Sequence, residues 1–292
     1  RMSVVDNCSG DDSVERIRAY LAEQQVDWVQ VIAAPVNGGY AAGNNVALRP
    51  LLAGAETADD VRLLNPDTEV ADGAMDALVA FLETGRADIV GSRLEDRDGT
   101  PQVAAFRFPG VWGELSGGAR LGPLDRLLAG HLVPLPLRDE PYPADWLAGA
   151  SVMMRRATLQ RLGLMDDVYF LYFEEVDWFV RAQRMGLRTW HVPASRIFHA
   201  VGASTGISDL RKRAPRRPAY WFESRRRFFL KNFGKAYALA CDLLFAAGYA
   251  SWLLRKRLTG GAADLEREPP YFLRDFLRHS VLGQGFGLRH EA

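Results

Sequence analysis

Short apolar runs alternate with stretches of helical period along the first third of the chain. Val4-Val5 closes on the polar Asp6-Asn7, and Ser13 then opens a stretch with Val14, Ile17 and Leu21 on one helical face. An apolar run from Trp28 to Ala34 follows. A glycine-rich turn, Asn37 to Asn45, leads into a second helix ending at Leu52, and Val61 to Leu64 stops abruptly at Asn65-Pro66-Asp67. Met75, Leu78, Val79 and Leu82 mark a third helix ahead of Ile89-Val90. Regular alternation of this kind predicts an α/β fold, with a mixed, mainly parallel sheet flanked by helices. Between Leu94 and Asp145 the alternation gives way to an irregular stretch rich in Pro and Gly, turning first at Asp98-Gly99 and expected to act as a lid or binding loop. It resumes with the run Trp146 to Met154 and a short helix to Leu162. The expected division is a domain over residues 1–205, in halves 1–93 and 94–205, and a basic helical extension over 206–292.

Charge refines this picture without directing the whole molecule. The 292 residues hold 36 Lys+Arg against 36 Asp+Glu, so no global field draws the chain to nucleic acid. Cations crowd between residues 211 and 235, where Glu223 is the single acid. Such a block predicts contact with an anionic membrane surface. Two cysteines, Cys8 and Cys241, and an amino end without a basic-then-apolar signal pattern point to the cytoplasm. Ala236 to Leu254 is apolar enough to suggest a membrane segment, but a central Asp242 costs about 2.5–3.5 kcal/mol on insertion scales. An interfacial or core-packed helix flanked by Arg255, Lys256 and Arg257 is the expectation.

Three places carry chemistry. Asn65 and Asp67 sit where a strand ends, the edge at which open α/β sheets bind ligands. An amide oxygen and a carboxylate there suit a hard cation; Asp67 as the cap of the helix near Ala74 is the plainer alternative. The stretch from Tyr169 to Trp178 brings Glu174, Glu175 and Asp177 to the first turn of a helix. They favour the helix dipole, and Asp177 can pair with Arg181 at i+4; equally, one carboxylate held among aromatics gains a raised pKa and serves as general base. His199, after Arg196-Ile197-Phe198, is either a hydrogen-bonded core residue or a third member of a cation site with Asp67. The turn at Asn37 lacks the G-x-G-x-x-G spacing of dinucleotide folds and the G-K-[ST] of a P-loop, yet its glycines allow close approach of a ligand.

Taken in order, these pieces resemble the rhamnosyltransferase-like branch of the family 2 glycosyltransferases. Val5 to Ser13 is similar to the family's V-D-N-x-S-x-D-x-S, and Asn37 to Asn45 to its N-x-G-[FY]-A-x-G-N-N. Leu64-Asn65-Pro66-Asp67 resembles the L-N-P-D form of its D-x-D motif. Gly149 to Arg156 and Phe170 to Arg181 resemble its acceptor-side strand and its F-x-Y-x-E-[DE]-x-D-[LW]-x-x-R. The resemblance runs from about residue 4 to 206 and implies a GT-A fold. It implies inverting transfer of a sugar, rhamnose among the candidates, from a dTDP- or UDP-linked donor to a lipid-linked or polysaccharide acceptor. By the same resemblance Asp6, Asn7, Ser9, Asp11, Asn37, Gly39, Gly43 and Asn45 hold the donor nucleotide. Asp67, with Asn65 and His199, holds Mg²⁺ or Mn²⁺. Glu175 is the base, with Asp177 and Glu174 beside it, and Trp146, Gly149 and Ala150 face the acceptor. Localisation at the inner face of the plasma membrane follows, and a homodimer is compatible. The family's opening strand finds no counterpart ahead of Arg1, so part of the donor pocket is expected to be missing. A catalytically inactive nucleotide- or carbohydrate-binding protein is the alternative, with a Rossmann-type oxidoreductase behind it.

Overall fold

The computed structural model describes residues 1–55, 58–200 and 214–288. In chain order its first elements are β1 (Met2–Asp6), α1 (Ser13–Glu23), β2 (Val29–Ala33), α2 (Gly39–Leu52), β3 (Asp60–Leu64), β4 (Thr68–Val70), α3 (Ala74–Glu83) and β5 (Ile89–Glu95). Then come β6 (Ala105–Phe106), α4 (Val111–Ala119), α5 (Gly122–Leu127), β7 (Tyr142–Pro143), β8 (Trp146–Leu147), β9 (Ser151–Arg155), α6 (Arg156–Leu162), α7 (Glu174–Arg184) and β10 (Thr189–His199). The carboxyl region holds α8 (Ala219–Leu258), α9 (Ala262–Arg267), α10 (Phe272–His279) and α11 (Val281–Gln284).

Six strands form one sheet in the order β3-β9-β5-β10-β4, with β7 on β10. Successive strand side chains point to opposite faces, and both faces of the central strands are covered, so adjacent residues such as Ile89 and Val90, or Val152, Met153 and Met154, are all buried. Ile89, Val152 and Met154 pack on one side with Leu48, Leu159, Trp178 and Phe179. Val90 and Met153 pack on the other with Leu78, Phe81 and Leu82 of α3. The mixed α/β architecture is as expected, but parallel pairing is confined to β1–β2 and β5–β10. The other pairs are antiparallel, because β9 enters between β3 and β5 and runs against both, while β4 folds back along β10. An apolar run does not reveal strand direction. β1 and β2 form a separate two-stranded sheet whose residues are at most half-buried.

β10 places a site residue. Its register against β5 shifts between Val192 and Arg196, across Pro193, and its last residues then pair with β4 so that His199 lies opposite Thr68.

The region expected to be a lid is instead a mounting. α4 crosses α8 so closely that a Cβ on Gly118 would lie 2.5 Å from the Phe245 carbonyl oxygen, and one on Gly248 would lie 2.7 Å from that of Leu115. α8 turns at Gly234, whose φ of 82 belongs to the left-handed region. The expected boundary at 205/206 falls outside the described residues. Beyond it, Phe228, Phe229 and Ala238 share one core with Tyr169, Val176 and Val180, so the extension is continuous with α7.

Part of the basic block is likewise turned inward, while Arg216, Lys231 and Lys235 are exposed. Arg225 is buried against Glu114, at 2.6 Å, and Asp242. Arg226 donates to the Gly287 carbonyl at 2.7 Å, Arg227 meets Asp166 at 2.8 Å, and Arg216 meets Asp275 at 2.7 Å. The partners of Arg225, Arg226 and Arg227 lie far away in sequence, so local charge counting does not show that these three are held inside the protein. Arg211 to Arg213 lie outside the described residues.

Candidate active site

The site is built around a strained turn. Tyr172 and Phe173 both adopt left-handed backbone, with φ of 70 and 69. Each such residue costs about 1–3 kcal/mol and persists only where its surroundings enforce it. The turn delivers Glu174 and Glu175 to the first turn of α7, and on each carboxylate one buried oxygen, Oε2, has no hydrogen-bond partner. Burial, and then the charge of Glu175, push Glu174 from the usual range near 4.5 up to about 9; burial also raises Glu175. The sign of the consequence is fixed. Between pH of about 4.5 and 9 the unfolded chain has lost a proton that the fold retains, so stability falls as pH rises. Glu174→Gln removes this liability. Its melting temperature should match the parent's near pH 5 and exceed it increasingly toward pH 9. Equal pH slopes for the two proteins would show that Glu174 ionises normally.

The glycine-rich turn meets this acid pair. Gly39 has φ +84, and a Cβ there would sit 1.7 Å from the Phe170 carbonyl oxygen, the same oxygen that accepts from Tyr40 N–H at 3.1 Å. Only glycine fits. Burial, then the charges of Glu175 and Glu174, raise the Tyr40 phenol, whose hydroxyl donates to Gly149 O at 2.7 Å. One residue on, Ala150 O accepts from Asn65 N–H at 3.0 Å. The turn at 149–150 therefore joins the glycine-rich turn to the end of β3. From the other side Tyr220 of α8 packs against Phe170 at 5.3 Å and Tyr172 at 6.2 Å.

Asp67 and His199 line a cleft of about 170 Å³ together with Pro66, Thr68, Glu69, Arg97, Phe198 and Ala200. Asp67 Oδ1 lies 3.5 Å from His199 Nε2 and has no hydrogen-bond partner. Gln102 fixes the ring. Its amide nitrogen donates to His199 O at 3.0 Å and to Asp96 Oδ1 at 2.7 Å, so its oxygen is left to face His199 Nδ1 at 3.1 Å. That oxygen can only accept, hence Nδ1 carries a hydrogen, and Nε2 is the ring nitrogen turned toward Asp67, the one able to offer a lone pair to a cation. A carboxylate oxygen and an imidazole nitrogen, both electron-pair donors, face one another: this donor set fits a divalent cation. Among the described residues no group of three or more His, Cys, Asp or Glu side chains converges on a cation, so the chain itself offers two donors here. The capping role for Asp67 is absent, since Gly73 precedes α3 with no side-chain cap.

Other expected site residues are placed differently. Asn45 is buried, exchanging hydrogen bonds of 3.0 Å with the Met165 backbone, so it anchors the loop ahead of α7 and does not face a donor. Asp177 is fully buried and accepts from Lys231 and Asn232, each at 2.7 Å, and from Tyr169 at 3.3 Å, with Arg181 at 3.7 Å. Buried among these partners it joins α7 to α8. Asn65 is not part of the lining of the Asp67 cleft. Asp11 is exposed; the Ser13 hydroxyl and then the Ser13 N–H, at 3.1 Å, hold its carboxyl below the usual range, and it serves the start of α1. Asp6 accepts from Ser9 N–H at 3.0 Å, closing the turn after β1. Asn7 donates to Asn37 Oδ1 at 3.0 Å and Gly39 O at 2.9 Å, and packs beside Gly43, tying β1 to the glycine-rich turn. Trp146 stacks on Phe106 at 4.1 Å and donates to Arg107 O at 2.9 Å.

No family model matches the chain. Two Mycobacterium tuberculosis proteins, N-acetylglucosaminyl-diphospho-decaprenol L-rhamnosyltransferases of strains CDC 1551 / Oshkosh and ATCC 25618 / H37Rv, are each 30% identical over 214 residues, covering 70% of this chain and 67% of theirs. The chain belongs to the rhamnosyltransferase-like glycosyltransferases of family 2. In fold, the glycosyltransferase is similar to the mannosyltransferase PcManGT of Pyrobaculum calidifontis, solved with GDP-Man and Mn²⁺, at a TM-score of 0.54 and 16% identity over 97% of this chain and 77% of that one. It is also similar to GalNAc-T7, solved with UDP, GalNAc and Mn²⁺, at a TM-score of 0.50 and 16% identity. There the match covers 90% of this chain and 51% of the other, so the glycosyltransferase spans about half the length of that structure. Both place it in the GT-A fold.

Sequence reasoning about the glycosyltransferase missed Gln102, Tyr40 and Tyr220. Tyr40 stands inside the glycine-rich motif and was legible there as a polar aromatic beside two glycines. Gln102 lies in the irregular stretch, and nothing in its neighbours announces a histidine 97 residues away.

Proposed function

We propose that the enzyme transfers a sugar, rhamnose foremost, from a nucleoside diphosphate donor linked through dTDP or UDP to a hydroxyl of a lipid-linked glycan acceptor, inverting the anomeric carbon. The observation that carries this reading is the pair of partnerless, buried carboxylate oxygens on Glu174 and Glu175, held by strained backbone next to the Tyr40–Gly149 junction. A fold that leaves two acids adjacent, buried and unpaired forgoes stability there, as active sites do. Glu175, the more exposed of the two, takes the acceptor hydroxyl's proton. The freed oxygen lone pair forms the new bond to the anomeric carbon from the face opposite the diphosphate. The old carbon–oxygen bond breaks with its electron pair, and the nucleoside diphosphate departs. The end of β1 and the glycine-rich turn form the donor floor. Asp67 and His199 would hold Mg²⁺ or Mn²⁺, which when bound supplies positive charge beside the diphosphate. A lipid-linked acceptor, such as the diphospho-decaprenol in the mycobacterial relatives' name, would bring the enzyme to the inner face of a membrane.

The test is release of nucleoside diphosphate from dTDP-rhamnose in the presence of an N-acetylglucosaminyl-diphospho-polyprenol acceptor. Release that requires acceptor and divalent ion supports the proposal. Failure with every nucleotide sugar offered would favour a binding protein. Asp67→Ala should abolish Mn²⁺-dependent donor binding at unchanged melting temperature. Gln102→Ala should weaken Mn²⁺, followed by its paramagnetic resonance signal, by about 10–100-fold, the usual loss when a ligand's supporting hydrogen bond is removed. Parental Mn²⁺ affinity in both variants would place the cation elsewhere.

A further inference from the structure

The second limb of α8, from Lys235 to Leu258, has two unlike faces. Inward, Cys241, Asp242, Tyr249 and Trp252 are buried against the body of the protein, with Asp242 accepting from Val281 N–H at 2.8 Å and from Arg225. Outward, Ala236, Leu243, Ala247, Ala250, Leu254 and Leu258 are all exposed, the three leucines by 50%, 57% and 77%. At 100° per residue these six fall within an arc of about 80°, making a straight apolar stripe about 33 Å long. Asp242 is the limb's single acid and faces inward, so the outward face carries none. Cations stand at its ends: exposed Lys235, with Phe286 beneath its ammonium at 6.0 Å, and exposed Arg257, next to Lys256, which pairs with Asp264, and Arg255, which donates to the Ala119 carbonyl.

This pattern selects its partner. A second copy laid on the stripe would set cation against cation whichever way it ran: Lys235 against Lys235 in parallel, Lys235 against Arg257 in antiparallel. A helix crossing a bilayer would have to give up its packing on α4 and the buried Arg225–Asp242 ion pair. A surface that is apolar within and anionic at its margin satisfies both the stripe and its ends. We propose that the outward face of this limb docks in the headgroup–acyl boundary of an anionic membrane, with the helix lying along the surface. The proposal deepens the reading above, since the lipid-linked acceptor would be met at that surface. The docking face is thus the apolar stripe of α8, not the internal arginines of its first limb.

The experiment is cosedimentation of the full chain with vesicles of phosphatidylcholine, alone or mixed with phosphatidylglycerol. The parent should bind the mixed vesicles more tightly and keep part of that binding at ~1 M salt, where screening reaches about 3 Å. The double variant Leu243→Glu/Leu254→Glu should lose roughly tenfold or more in binding, because both leucines leave an apolar contact. Leu243→Ser/Leu254→Ser provides the same test should charge disturb the fold, which circular dichroism would report. Transfer to a short-chain, water-soluble acceptor should be unchanged in these variants. If the soluble transfer proceeds and the variants bind vesicles like the parent, the docking face is wrong and the enzymatic reading stands. If the parent docks as described but transfers to no acceptor, the enzymatic reading fails alone. If light scattering shows a dimer that the substitutions dissociate, a second copy covers the stripe and the proposal falls.

Discussion

Glu175→Gln is expected to lower turnover by about 10²–10⁴-fold while leaving donor affinity within a factor of about two, the usual share of a general base. The substitution keeps size and hydrogen-bonding capacity and removes only proton acceptance. A second signature accompanies it. Burial raises the Glu175 carboxyl, so in the parent the base becomes competent only above the ordinary carboxylate range. The acidic limb of the parent's kcat/KM profile should therefore sit higher in pH than for an exposed glutamate, and the limb should vanish in the variant's residual rate. Glu174→Gln should retain far more activity than Glu175→Gln. If the order is reversed, Glu174 is the base.

The largest expected loss of stability belongs to Asp177→Ala. Breaking a buried ion pair from one side costs about 3–5 kcal/mol, chiefly because the other charge is left without its partner. Here Lys231 keeps Asp166 at 2.7 Å and is partly exposed, which argues for the lower end, about 3 kcal/mol. Asn232 loses its short bond to the carboxylate as well. Of a total stability of about 5–15 kcal/mol this is a large share. Urea titration should show the midpoint falling with little change in slope, and turnover at low temperature should follow the folded fraction. Loss of turnover in a variant that is still fully folded would return Asp177 to the chemistry.

Much of the fold was legible because its physics is local. Val61, Leu63 and Leu64 end at a polar turn as a buried strand does, and the acidic cluster followed an aromatic run into a first helical turn. Two kinds of information were not local. Strand direction depends on where the chain returns, and β9, inserted antiparallel between β3 and β5, leaves no mark in its own residues. The partners of charges are also remote: Arg225, Arg227 and Lys231 read as a solvated basic block until Glu114, Asp166 and Asp177 were placed against them. The same blindness favoured a catalytic role for Asp177 and a donor contact for Asn45, whose partners lie 120 positions away. What motif order did supply was the neighbourhood of Gly39, Gly149 and Glu174, where contact between distant segments leaves a glycine or an acid that local packing alone does not require.

The bond between Asp177 and α8 sets a schedule for synthesis. Lys231 and Asn232 follow Asp177 by 54 and 55 positions, and the core that seats α7 is completed by Phe228 and Phe229. A growing chain that has already made its strands, its glycine-rich turn and all three acids still holds Asp177 with Arg181 alone beside it, lacking Lys231 and Asn232. Domains fold as they leave the ribosome at about 5–20 residues per second, so this carboxylate waits several seconds for its partners. The acid pair, one turn away on the same helix, is set in place only after most of the polypeptide exists, and an incomplete chain carries Glu174, Glu175 and Asp177 without the means to align them.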